Sequence, residues 1–159
     1  MKMADLEDQL RAEYIMLQTH YEAFDARALT IKSWAAPLLA GGLGLGLKEA
    51  SIGIEFATIV ASCSLWILEA IWKNFQYCYV ARIKLLESYF RGEQDSPIPA
   101  FQTFSAWGHE WSRWFRGGVA LKQRLMSPFV YLPYLPLNIA AIVAMFWILA
   151  IGPDHAPVK

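Results

Sequence analysis

Two acids stand in apolar surroundings. Glu55 and Glu69 belong to a run, 52–72, that otherwise reads as a membrane-crossing helix. An ionisable group in such a run is costly and is a functional candidate by default. Glu69 precedes Lys73 by four residues, the acid-first order that favours a pair along a helix. A Glu69–Lys73 pair at the membrane edge is therefore the structural expectation. The functional ones are a pore-lining or proton-carrying acid and a hydrogen bond to another helix. Glu55 lies beside a turn and is expected to be wet.

Other patterns fall short of chemistry. His109-Glu110-Trp111-Ser112-Arg113 begins like a zinc-protease helix but has Arg where the second His belongs, and one His with one Glu does not hold zinc. Gly41-Gly42-Leu43-Gly44-Leu45-Gly46 shares only its glycines with a phosphate loop. No strand precedes it and no Lys-Ser/Thr follows. Within an apolar run, Gly42 and Gly46 form a small-xxx-small pair suited to close helix packing. Their partner is either the next run, through Ala57, Ala61 and Ser62, or another subunit. Cys63 and Cys78 are the two cysteines, too few for a disulfide framework or a zinc set, and read as free thiols. No nucleophile elbow and no serine–histidine–acid set is legible. The sequence thus assigns no catalytic, metal or cofactor-binding residue.

The elements that would position Glu55 and Glu69 are helices. No Gly or Pro occurs over 1–36, and Leu10, Tyr14, Leu17, Tyr21, Phe24, Ala28 and Ile31 recur in alternating steps of four and three. That is a heptad seam. The aromatic share of the seam argues for packing within the chain. From 33 to 47 there is no charge; Arg27 and Lys32 can snorkel and Trp34 can anchor, so the helix is expected to enter a membrane. Pro37 is a candidate kink. After a turn at 48–51, a second span over 52–72 continues as a cytosolic helix to Phe90. Trp72, Tyr79 and Leu86 give it a second seam, with Gln76, Ile83 and Phe90, able to pair antiparallel with the first. A turn-rich stretch follows, 92–99. The charge-free 125–153 contains a third span over 137–151.

Between them, Phe101, Phe104, Trp107, Trp111, Trp114 and Phe115 share one helical face, opposite Gln102, His109, Arg113 and Arg116. A helix with an aromatic face and a basic face reads as one lying in the membrane surface. Trp107, Trp111, Trp114, Arg113 and Arg116 are its candidate interface residues.

Composition agrees: 159 residues, 56% hydrophobic, 18% charged, seven Trp and no net charge. Bulk charge gives no hint of nucleic acid. The acids Asp5, Glu7 and Asp8 argue against a secretory signal at the N-terminus. With the N-terminus inside, all but Lys48 and Lys159 of the 14 Lys and Arg lie in the cytosol, which the positive-inside rule favours. The expected class is all-α, an integral membrane protein with three transmembrane helices, cytosolic helical extensions and an interfacial helix. It divides into 1–91, 92–127 and 128–159.

Tyr14-Ile15-Met16-Leu17-Gln18-Thr19-His20-Tyr21, Leu68-Glu69-Ala70-Ile71-Trp72-Lys73 and Leu86-Glu87-Ser88-Tyr89-Phe90 resemble small bacterial membrane proteins. In plan the chain is similar to SLATT-type two-span domains over about 14–90. That resemblance implies a membrane-disrupting effector of bacterial defence. The third span departs from the two-span plan, and no functional residue carries over.

The expected role is a non-enzymatic protein of the bacterial inner membrane that self-associates as a pore-forming or membrane-disrupting effector. The seams and Gly42/Gly46 would make the contacts, and Glu55, Thr58, Ser62, Ser64 and Glu69 would supply a polar stripe. The alternatives are an accessory or scaffold subunit of a larger membrane complex, and a small transporter or lipid-binding protein. Expected partners are the lipid bilayer and either further copies or other membrane subunits.

Overall fold

Long stretches free of Gly and Pro, 1–36 and 54–91, leave little to interrupt a helix. The computed structural model describes residues 3–94, 96–115 and 119–151, and these are all-helical with no strand. The helices are α1 (Met3–Lys48), α2 (Ile52–Tyr77), α3 (Val80–Phe90), α4 (Thr103–Phe115), α5 (Val119–Leu125), α6 (Pro128–Tyr131) and α7 (Tyr134–Ile151). The tail beyond 151, with His155 and Lys159, lies outside the described residues.

α1 runs for 46 residues, about 69 Å at the α-helical rise. Pro37 lies inside it without ending it. Its end is made by Ala50 at φ 47°, a left-handed residue where glycine is more usual. The Ser51 N–H then closes back on the Gly46 carbonyl at 2.9 Å. The helix expected to run unbroken to Phe90 is instead stepped at Cys78–Tyr79. There the Tyr79 N–H reaches only three residues back, to Gln76, at 3.2 Å. The Cys78 thiol meanwhile donates to the Asn74 carbonyl at 3.2 Å.

The chain forms two compact units, Met1–Arg27 with Ile71–Arg124, and Ala28–Ala70 with Leu125–Lys159. In the first, the two seams meet antiparallel. Phe24 packs on Trp72 at 5.0 Å and on Tyr79 at 5.9 Å, while Tyr14 reaches Phe90 at 6.5 Å. Leu6, Leu10, Leu17, Ile83, Leu86 and Ile98 form the buried core. The buried stripe of α1 includes Glu13 where the seam had pointed to Tyr14, which is only half-buried.

The second unit inverts the usual order of polarity. Its exposed side chains include Trp34, Leu38, Phe56, Phe146 and Trp147, the least exposed of these at 60%. Its buried ones include Glu55, Thr58, Ser62, Glu69 and Asn138. The Asp5–Lys48 and Ile52–Phe90 stretches are long and apolar enough to cross a membrane, and α7 is a shorter apolar helix.

Candidate functional site

The site is the interior of the second unit. Along α2, Glu55, Thr58, Ser62 and Glu69 are buried, at spacings of three, four and seven that place them on one helical face. Against that face α1 sets its smallest residues. A Cβ at Gly42 would stand 2.5 Å from the Thr58 hydroxyl, and one at Gly46 would stand 2.4 Å from Glu55 Oε1. Gly42 and Gly46 thus let α1 approach α2 within the chain. Their neighbours are Thr58 and Glu55; of the expected partners Ser62 is buried on this same face, while Ala57 and Ala61 lie on the exposed side of α2. The cause is rotational phase: positions 57 and 61 are about 100° from 58 and 62 on an ideal helix. Ser64 also points outward, its hydroxyl on the Val60 carbonyl at 2.8 Å.

At one end of the stripe Glu69 is fully enclosed. Its partner is Lys32, with Nζ 2.7 Å from Oε1, and Tyr134 donates its hydroxyl to Oε2 at 3.0 Å. The Lys32 ammonium also reaches the Phe129 carbonyl. The expected Glu69–Lys73 pair does not form. Lys73 belongs to the first unit, where it meets Asp25 and donates to Gln76 Oε1 at 2.8 Å. Tertiary placement outweighs the i,i+4 preference, which is worth only ~0.2–0.5 kcal/mol.

At the other end, Glu55 is 0% exposed, correcting the wet position expected for it. Neither of its carboxylate oxygens has a hydrogen-bond partner. As a first-turn acid of α2 it gains ~0.3–1 kcal/mol from the helix dipole. A buried charge without a partner costs several kcal/mol, so the dipole does not offset it. Ser62 Oγ and Asn138 Oδ1 are likewise buried without a partner. Asn138 stands beside α2, its amide nitrogen 3.7 Å from Cys63 Sγ. Between Ser62 and Glu69 the packing turns apolar. Ala35, Leu39 and Tyr134 cluster with Leu65, Trp66 and Leu137, and the Trp66 indole is pinned to the Leu125 carbonyl at 3.0 Å.

A second polar centre, in the first unit, was not singled out from sequence. Glu13 and Arg82 form a two-pronged ion pair, at 2.9 Å and 2.8 Å. The Phe101 N–H donates to Glu13 at 2.8 Å, the Thr103 hydroxyl at 3.2 Å, and Arg82 donates to the Pro99 carbonyl at 2.7 Å. Burial alone would push the Glu13 carboxyl up; Arg82, the Phe101 N–H and Thr103 outweigh it and hold the carboxyl below its ordinary range. This network ties Pro99, Phe101 and Thr103 to α1 and α3, and Phe101 takes φ 59° to complete it. A cue was present: Glu13 continues Leu6, Leu10 and Leu17 at steps of four and three.

The aromatic helix α4 turns part of its face onto its own chain. Trp107 and Trp111 stack at 5.5 Å, pack on Phe75, and Trp107 donates to the Phe75 carbonyl at 3.1 Å. Phe104 stays exposed. Arg113 is exposed and pairs with Glu110 at 3.5 Å. Arg116 and the Trp114 side chain lie outside the described residues. Among the described residues no three of His, Cys, Asp and Glu gather to hold a metal ion; His109 is 3.7 Å from Glu110.

No family model, curated protein or solved structure matches this chain.

Proposed function

We propose that this chain is a three-span protein of the bacterial cytoplasmic membrane, N-terminus inside and C-terminus outside, whose second unit passes cations across the bilayer without enzymatic chemistry. The observation that carries this reading is the inverted polarity of the second unit. Large apolar side chains face outward while Glu55, Thr58, Ser62, Glu69 and Asn138 are buried. A soluble fold has no use for that order, whereas lipid demands an apolar exterior and tolerates ionisable groups only when they face inward. α7 supports a third span, since 18 residues rise about 27 Å against a ~30 Å hydrocarbon core. The apolar layer around Leu39 and Trp66 makes this a closed form.

The seams, expected to pack within the chain, and Gly42/Gly46, whose partner the sequence left open between the next run and another subunit, are both used inside the chain. Self-association therefore falls to outward faces. One of these favours a second reading, an accessory subunit: a groove of about 470 Å³ between α1 and α2, lined by Leu38, Leu39, Gly42, Gly53, Ala57 and Ala61, which suits a neighbouring helix.

Purified protein in liposomes, assayed with potassium- and pH-sensitive dyes, tests the first reading. Flux that rises when Leu39→Asn wets the apolar layer supports it; neither potassium nor proton flux, in wild type or variant, overturns it. Native mass spectrometry of the gently solubilised protein tests the second, which requires foreign chains at fixed stoichiometry.

A further inference from the structure

We infer that Glu55 is a proton-binding site within the membrane, and that the proton is the cation the second unit takes up. The inference rests on reading that unit as membrane-embedded. Its starting point is geometric: a fully buried carboxyl with neither oxygen hydrogen-bonded. Such a group must be neutralised, by a protein cation, a bound metal ion or a proton.

A protein cation is not at hand among the described residues. The charged groups of the adjoining turn, Lys48 and Glu49, are 3.9 Å from each other with 78% of the lysine side chain exposed. Lys32 is committed to Glu69. From α1 the element facing Glu55 offers Gly46, which has no side chain. A metal ion would need several oxygen ligands. Among the described residues no three of His, Cys, Asp and Glu gather to supply them, and on its α1 side the Glu55 carboxyl lies against the bare backbone of Gly46. Of the hydroxyls on its own face, Thr58 donates to the Ile54 carbonyl at 2.9 Å and Ser51 accepts from the Ile54 N–H at 3.4 Å. One proton satisfies the site: it binds one oxygen, cancels the charge and leaves a carboxylic acid able to donate one hydrogen bond.

The other unpartnered atoms then acquire a role. Ser62 Oγ and Asn138 Oδ1 are acceptors deeper in the same interior. From Glu55 to Ser62 is about 10 Å along α2, and a further ~10 Å leads to Glu69. Waters bridging such groups would carry the proton inward as far as the apolar layer. Beyond that layer, Glu69 is held by Lys32 and Tyr134. The two acids thus differ in kind: Glu55 exchanges a proton, and Glu69 is ion-paired within the chain.

The test uses the full chain in liposomes, as wild type, Glu55→Gln, Glu55→Asp and Glu69→Gln. Infrared difference spectra at neutral pH read proton binding directly. The carbonyl stretch of a neutral carboxylic acid should be present in wild type, absent in Glu55→Gln and retained in Glu69→Gln. Its presence in Glu55→Gln overturns the inference, whatever the flux. In the dye assay, read in the Leu39→Asn background that wets the apolar layer, Glu55→Gln should slow proton uptake about tenfold, a barrier rise of ~1.4 kcal/mol, with Glu55→Asp restoring part of it. Unchanged proton uptake in Glu55→Gln overturns the inference while the cation-passing reading stands. A Glu55 band without any cation flux sustains the binding site and overturns that reading.

Discussion

Glu13 and Arg82 are both almost wholly buried, at 0% and 4% exposed, yet each has its hydrogen bonds met. Cutting one partner leaves a buried charge alone, a loss of ~3–5 kcal/mol. Arg82→Ala and Glu13→Gln should therefore each strongly destabilise the first unit: Gln keeps an acceptor for Arg82 but leaves its buried charge uncompensated, and a guanidinium cannot shed its proton. Glu13 also sets an acid limb. Because the folded Glu13 carboxyl lies below its ordinary value, its stabilisation is complete at pH above the unfolded glutamate value, ~4.3. It is lost as pH falls through the lower folded value. Thermal melts in detergent from neutral to acid pH should show that limb in wild type and a shallower one in Glu13→Gln. Cys78 behaves oppositely: burial and the nearby Glu110 carboxylate push its thiol up to about 11. In a Cys63→Ala background at mildly alkaline pH, iodoacetamide should label it about a hundredfold more slowly in the folded than in the denatured protein, since the thiolate is the nucleophile. Comparable rates would show the thiol to be ionised or open.

Among elements, the α1–α2 approach sorts four neighbouring glycines into two kinds. Gly41 and Gly44 have open space where a Cβ would go, whereas Gly42 and Gly46 do not. Alanine at 41 or 44 should raise the melting temperature slightly, since Gly costs a helix ~0.5–1 kcal/mol relative to Ala. Alanine at 42 should lower it, because the short Thr58 side chain cannot swing away. Alanine at 46 should lower it as well, because Cγ, Cδ and Oε1 of the buried Glu55 all stand within 3 Å of where its Cβ would go. A uniform effect at all four positions would remove the close contact from the account. The glycine pair itself was legible from its spacing, as were both seams. Which residues face the pair was not: a rotation of α2 by about 100° exchanges the face of Ala57 and Ala61 for that of Glu55, Thr58 and Ser62, and composition is blind to phase. Glu69–Lys73 failed for a related reason. Sequence spacing registers neighbours along one helix, while Lys32 and Tyr134 come from α1 and α7. The step at Cys78–Tyr79 had no Gly or Pro to announce it.

For the whole molecule, the proposed topology predicts opposite accessibilities for two loops. In a cysteine-free background, Glu49→Cys should react with a membrane-impermeant maleimide in intact cells, and Glu93→Cys only after lysis. Labelling of both from outside would invert or dissolve the three-span reading. The division of the chain adds a consequence of another sort. The first unit is assembled from Met1–Arg27 and Ile71–Arg124, with Ala28–Ala70 of the second between them. A ribosome therefore delivers Leu10 and Leu17 well before Ile83 and Leu86, the residues that cover them in the finished core. Throughout that interval a newborn chain displays a bare apolar stripe that no local structure can hide. Biogenesis of this protein is thus a race between the completion of synthesis and the capture of that stripe by chaperones, proteases or other nascent chains, and a transcript truncated before codon 80 yields a product that cannot win it.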